Sequence, residues 1–407
     1  MSSTSGVYLD NAATTYPKPQ AVYDAVDRFM RTRAANPGRS GHRMSMQAAE
    51  EVYACRSALA ALFHADGPEC VAFTQNATQA VNMALKGRLT RGGHVVTSNL
   101  EHNAVMRPLE KLAERGVSYS VAAVDLEDDG RTLENFRRQI RPDTVMVACT
   151  HGSNVCGRVL PAEKIGRLCA ERGIEFLLDA SQSAGVLPID MQACHITYLC
   201  VPGHKSLYGP MGTGALITGS GEKLETILEG GTGSNSVSLE QPDFMPDRLE
   251  SGTVNAPGIA GLRAGAAFVV RRTPERIYRE EQALCLALYD ALARVEGVRL
   301  YTPRPEHGYL PVLGFNIGGM SSVEATSELD RMGFALRGGL HCSPAAHYSF
   351  GTISQGMIRA SFGAFNTRDD AVRLADAVRK IASSAPAGAS AGESNDGTDA
   401  SPAAKKR

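Results

Sequence analysis

The sequence predicts an α/β protein: a large domain on a mostly parallel, mixed sheet, followed by a smaller α+β domain. Two observations carry that expectation. Between residues 70 and 220 short apolar runs alternate with amphipathic ones, as strand-helix-strand crossovers require. Polar, chemistry-bearing residues then cluster just after the apolar runs, where open parallel sheets bind their ligands. Strands are expected at 71–74, 95–97, 145–148 and 174–179, and helices at 77–88, 103–115 and 161–172. Beyond Pro257, helical patterns at 258–271, 274–295, 322–332 and 368–382 enclose apolar runs at 298–301 and 312–316. A helical pattern near 18–33 is expected to share the small domain's space. The expected organisation is an N-terminal segment 1–35 packing with the small domain, a large domain 36–257, a small domain 258–382 and a disordered tail 383–407. The tail is Ala, Ser, Gly and Pro with acidic residues, too poor in apolar side chains to pack.

With 407 residues, 43 % of them hydrophobic and 21 % charged, the chain is long enough for two packed domains. A formal net charge of -1 offers no basic face for nucleic acid. No run approaches the roughly 18 apolar residues of a membrane span, and the first residues lack a signal peptide's apolar core, so the cytoplasm is the expected compartment. Nine cysteines without a Cys-x-x-Cys pair suit reduced thiols better than disulfides or a zinc cage, and no metal site is expected.

Asp179 ends an apolar run, and Lys205 lies in the Gly-rich stretch 201–214. A lysine amine that forms a Schiff base and a carboxylate that keeps a ring nitrogen protonated are what pyridoxal 5'-phosphate asks of a protein. Asn76, Ala77 and Thr78 stand between a strand and a helix, where backbone amides and a hydroxyl can hold a phosphate against the helix dipole. Asn76 is equally an ordinary N-cap. His102 follows another strand and suits stacking on a planar ring and proton transfer near neutral pH. Asn154 follows the next one, placed to donate to an anionic ring oxygen or a substrate carboxylate. Cys342 sits apart, in a polar Gly-rich loop with Arg337, His341 and His347. A thiol beside a cation is the setting of a nucleophilic cysteine rather than of a core residue. A zinc site there lacks enough ligands at fitting spacing.

The segments 8–15, 36–39, 76–78, 101–103, 153–154, 179–182, 203–205, 251–253 and 359–366 together resemble the class V aminotransferase group, and within it the cysteine desulfurases, over residues 7 to 382. The resemblance implies the fold type I of pyridoxal phosphate-dependent transferases and a homodimer with sites at its interface. It implies that Lys205 forms the Schiff base, Asp179 pairs with the ring nitrogen, Gln182 bonds the ring hydroxyl oxygen and His102 stacks on the ring. Thr78 and His204 would hold the phosphate, and Thr253 would reach the phosphate of the neighbouring subunit. Asn11, Ala12, Asn154, Arg337 and Arg359 would bind the substrate, L-cysteine or L-selenocysteine. The loop around Cys342 is similar to that of group II desulfurases, which implies sulfur transfer from cysteine to Cys342 as a persulfide, release of L-alanine and a second thiol that collects the sulfur, an acceptor protein being a candidate for it. One departure is Pro202, where many relatives carry a serine that binds the phosphate. A selenocysteine lyase, another carbon-sulfur lyase and an enzyme of carbon-carbon chemistry stay open as alternatives.

Overall fold

The computed structural model describes residues 6–38 and 40–384; Arg39 and the expected tail from residue 385 lie outside the described residues. In chain order the elements are β1 (Val7–Tyr8), α1 (Gln20–Thr32), α2 (Arg43–Phe63), β2 (Val71–Thr74), α3 (Ala77–Arg88), β3 (Gly93–Ser98), α4 (Asn103–Ala113), β4 (Val117–Ala122), α5 (Asp129–Gln139), β5 (Thr144–Thr150), α6 (Ala162–Arg172), β6 (Glu175–Asp179), β7 (Tyr198–Pro202), β8 (Gly214–Thr218) and α7 (Ala256–Arg272). They continue with α8 (Pro274–Leu292), β9 (Val298–Leu300), β10 (Val312–Ile317), α9 (Ser322–Arg331), β11 (Phe334–Ala335), α10 (Pro344–Phe350), β12 (Ile358–Ser361) and α11 (Arg368–Ser384). The last helix therefore takes in 383 and 384, the first two residues assigned to the tail from composition.

Seven strands form the central sheet in the order β2-β8-β7-β6-β5-β3-β4. Strand β8 runs antiparallel to both its neighbours and every other pairing is parallel. Consequently β2, β3, β5, β6 and β7 all end at the same edge. Strands β6, β7 and β8 are almost wholly buried, as expected where helices cover both faces of a sheet. A smaller three-stranded antiparallel sheet, β12-β10-β9, packs under α8 and α11.

The N-terminal segment divides between the two cores, where the sequence assigns it to the smaller one. β1 pairs in parallel with β11, and Val7 and Leu9 join the core of the small sheet. Phe29 of α1 instead enters the core of the large sheet, together with Ile259, Ala260, Leu262 and Ala266 of α7. Small residues explain how α7 comes so close to the large sheet. A Cβ placed on Gly265 would lie 2.2 Å from the carbonyl oxygen of Leu207, which is in the loop that carries Lys205.

Candidate active site

The common strand edge opens into a cavity of about 310 Å³, lined among others by Ala12, Asn76, Thr78, His102, Asn154, Asp179, Gln182, His204, Lys205, Arg337 and Arg359. Each reaches it from the end of a strand or a segment laid across the edge. Asp179 closes β6, is 2 % exposed and accepts the amide of Ser181 at 2.9 Å. Lys205 hangs from the β7-β8 connection and is half-buried. Burial lowers its pKa to about 8, with Asp179 opposing the shift and Arg359 and Arg337 adding to it. The neutral, nucleophilic fraction of the amine at pH 7 is then about a tenth, several hundred times that of an ordinary lysine.

Asn76 is the N-cap of α3, its side chain accepting the Gln79 amide at 3.0 Å. The first-turn amides beyond it, at Ala77 and Thr78, have no helical carbonyl to meet. His204 stands close by with its Nδ1 buried and without a partner. That orphaned atom, the open helix start and the Thr78 hydroxyl make a cradle suited to a phosphate, while Lys205 and Asp179 suit an aldehyde and a pyridine nitrogen. The residues fit pyridoxal phosphate. Gln182 is tied to the N-terminal segment, donating to the Ala12 carbonyl at 3.1 Å.

His102 caps α4 and its Nδ1 accepts the Ala104 amide at 2.9 Å. The ring proton must then sit on Nε2. Burial lowers its pKa to about 4, against the pull of Asp179, so the ring is neutral at pH 7 and presents an N-H. Arg359 on β12 is 1 % exposed; its Nη2 meets Asp10 at 2.6 Å and its Nη1 donates to the Asn154 carbonyl at 3.0 Å.

Three expected site residues do not line the cavity. The Asn11 amide donates to the Ser361 carbonyl and to Asn366 Oδ1, and its own oxygen accepts the Tyr16 amide, so it ties the N-terminal segment to β12 instead of facing a substrate. Thr253 is exposed and borders a separate hollow with Asn36, Tyr53, Arg56 and Glu250. Cys342 is also exposed, while its neighbour His341 reaches the cavity. His341 and Cys342 both adopt left-handed backbone, at φ 50° and 58°, which costs non-glycine residues about 1–2 kcal/mol each. Bonds hold this conformation: the Asn103 amide donates to the Cys342 carbonyl at 2.7 Å, and Asn154 Nδ2 donates to the His341 carbonyl at 2.8 Å. Two further residues bear on the site, Asp10 from the 8–15 segment and Lys18, which no sequence signal marks. Asp10 neutralises Arg359, and Lys18 Nζ donates to the His204 carbonyl at 2.6 Å.

A mixed seven-stranded sheet with a lysine and an aspartate at its carboxyl edge, joined to a small α+β part, defines the fold type I of pyridoxal phosphate-dependent transferases. The chain belongs to the class-V aminotransferase family, whose model matches residues 7–374. It is 33 % identical to a probable cysteine desulfurase of Xylella fastidiosa over 392 residues, covering 92 % of this chain and 90 % of that one. Among solved structures it is similar to the apo cysteine desulfurase of Thermococcus onnurineus NA1, with a TM-score of 0.87, 29 % identity and coverage of 93 % and 95 % of the two chains. A cysteine desulfurase of Escherichia coli matches with a TM-score of 0.83 and 28 % identity over 92 % of this chain and 94 % of that one.

Proposed function

We propose that the protein is a pyridoxal phosphate-dependent cysteine desulfurase that converts L-cysteine to L-alanine and receives the sulfur on Cys342. One observation carries the reading: Cys342 is the exposed member of the nine cysteines, and its loop is bonded to Asn103 and Asn154 beside the cavity that holds Lys205 and Asp179. The cofactor, when bound, supplies an electron-withdrawing ring that stabilises negative charge at the substrate's Cα. Lys205 and Asp179 would hold it at either end, with Gln182 and His102 along the ring and Ala77, Thr78 and His204 at the phosphate. Pro202 lines the cavity without a donor to add, so the phosphate leans on α3.

The rest of the chemistry belongs to the chain's own side chains. Arg359 and Arg337 present guanidinium groups to the substrate carboxylate, a planar match that lysine does not reproduce. The Lys205 amine, neutral in part near pH 7, takes the Cα proton. The Cys342 thiolate attacks the substrate sulfur: an S-S bond forms, the C-S bond breaks with its electron pair left on the carbon fragment, and reprotonation of that fragment gives alanine. His102, neutral with its proton on Nε2, is placed to donate a hydrogen bond or a proton. A second thiol then collects the sulfur, and an acceptor protein is proposed as its source. We propose the rest of the setting as a homodimer in the cytoplasm, each subunit offering Thr253 to its neighbour's phosphate.

Incubation of the purified protein with cysteine and a thiol reductant is expected to release alanine and sulfide. Lys205→Ala should abolish the visible absorption band, and Cys342→Ala should abolish alanine formation from cysteine. Continued desulfuration of cysteine by Cys342→Ala overturns the assignment of the thiol. Selenocysteine turnover alone would point to a lyase of that substrate, and pyruvate in place of alanine to carbon-sulfur lysis.

A further inference from the structure

The geometry points to Asn154 and Ser343 as positioning residues that set Cys342 in register with the cavity. Asn154 sits at the cavity wall and is 8 % exposed. Its amide is occupied on both sides by the segment that bears the thiol: Nδ2 donates to the carbonyl of His341 at 2.8 Å, and Oδ1 accepts the hydroxyl of Ser343 at 2.7 Å. Those two contacts straddle Cys342 from either side in sequence. Ser343 is wholly buried and its amide donates to the Leu340 carbonyl at 2.9 Å, so its hydroxyl is not free to wander.

The clasp explains how a left-handed pair at His341 and Cys342 persists without glycine. It also leaves Asn154 with one N-H still to give, since a primary amide carries two. A single side chain thus touches both the cavity and the loop that carries the thiol. Whatever occupies the cavity and engages that remaining N-H is thereby held at a fixed distance from Cys342. Asn103, whose amide donates to the Cys342 carbonyl, fixes the third point. Residues in this arrangement need never touch the sulfur to govern its transfer.

This inference rests on the desulfurase reading, and its test separates the two. The holoenzyme is mixed with cysteine in a single turnover, and the Cys342 persulfide is followed by mass spectrometry. Amide hydrogen exchange is measured over 338–344. Ser343→Ala, which removes one neutral hydrogen bond, is expected to speed exchange in that segment and slow persulfide formation about fivefold, with the cofactor band and the KM for cysteine unchanged. In an Asn154→Ala background Ser343→Ala should have no further effect, because it acts through Asn154. Equal persulfide rates in wild type and Ser343→Ala, or additive effects in the double variant, overturn the clasp while leaving the desulfurase intact. Absence of any Cys342 persulfide in the wild type overturns both.

Discussion

Arg359 is the largest side chain that the fold buries almost completely, and its charge is tolerable only through its partners. Burial depresses its pKa, Asp10 restores it through the 2.6 Å contact, and Arg337, whose backbone bridges to that of Arg359, pushes it down again. Its Nε is buried with no partner, a donor aimed at nothing in the chain and consistent with a site for a carboxylate. Removing one member of such a pair strands the other, which typically costs about 3–5 kcal/mol; the Asp10 side chain is 20 % exposed, so the low end applies. Asp10→Asn is therefore expected to lower stability by about 3 kcal/mol in urea unfolding. In an Arg359→Met background the same change should cost almost nothing. A wild-type urea midpoint for Asp10→Asn would show that the pair is not what makes the buried guanidinium tolerable.

The loop that carries Lys205 depends on α7 lying against it, and Gly265 makes that approach possible. A methyl group there would meet the Leu207 carbonyl oxygen at 2.2 Å and the Gly209 nitrogen at 2.9 Å, both rigid backbone atoms. Overpacking of this kind costs roughly 1–3 kcal/mol. Gly265→Ala should lower the melting temperature and release cofactor on desalting, whereas Gly41→Ala, with nothing within 4 Å, should do neither. None of this close packing is visible in a hydrophobic pattern, which reports only which face is apolar. Short apolar or amphipathic runs that follow a turn or cap, such as α3, α6 and β2, lie in the sequence much as the structure has them. The pattern does not announce α2, whose Ala-rich stretch buries residues over its length, nor β7 and β8, whose Gly and Pro neighbours read as loop. The place of Asp179, His102, Thr78, Gln182, His204 and Lys205 on the cavity could be read because each lies in a short motif at or just past a strand end, Asp179 sharing one with Gln182 and His204 with Lys205. The clasp on Cys342 and the Asp10-Arg359 pair could not, because partners 189 and 349 residues apart leave no local trace.

Across the whole molecule the buried titratable groups fix how stability varies with pH, and they oppose one another. Burial lowers His94, His102, His151, His204 and His347 from 6.5 to about 4, and His341 to about 2. Below pH 6.5 the unfolded chain binds protons that these six rings refuse, so stability rises with pH there. Burial raises Glu101 and Glu281 from 4.5 to about 8. Between 4.5 and 8 the folded state holds protons that the unfolded chain has released, so each acid makes stability fall with pH. Six rings outweigh two acids below pH 6.5; above it the rings' contribution fades, the acids pull stability down, and Lys205 and Lys18, lowered by burial from 10.5 to about 8, begin to pull it up, so stability is expected to level off above pH 6.5. Glu281 is the informative one, because it joins α8 to the Lys205 loop. Tyr208 donates to it at 3.2 Å, and the Tyr208 oxygen accepts the Ala364 amide at 2.9 Å, bringing three segments together on one neutral acid. At up to about 1.4 kcal/mol per pH unit for one acid, Glu281 alone should lower unfolding free energy by roughly 1–2 kcal/mol from pH 6.5 to 8, against the opposing rings and lysines. Glu281→Gln keeps an acceptor for Tyr208 but cannot ionise, so its unfolding free energy should gain on that of the wild type by this amount across the window in a series of urea midpoints. The same pH dependence in Glu281→Gln and wild type would mean that the acid is already charged in the folded protein and that Tyr208 meets a carboxylate.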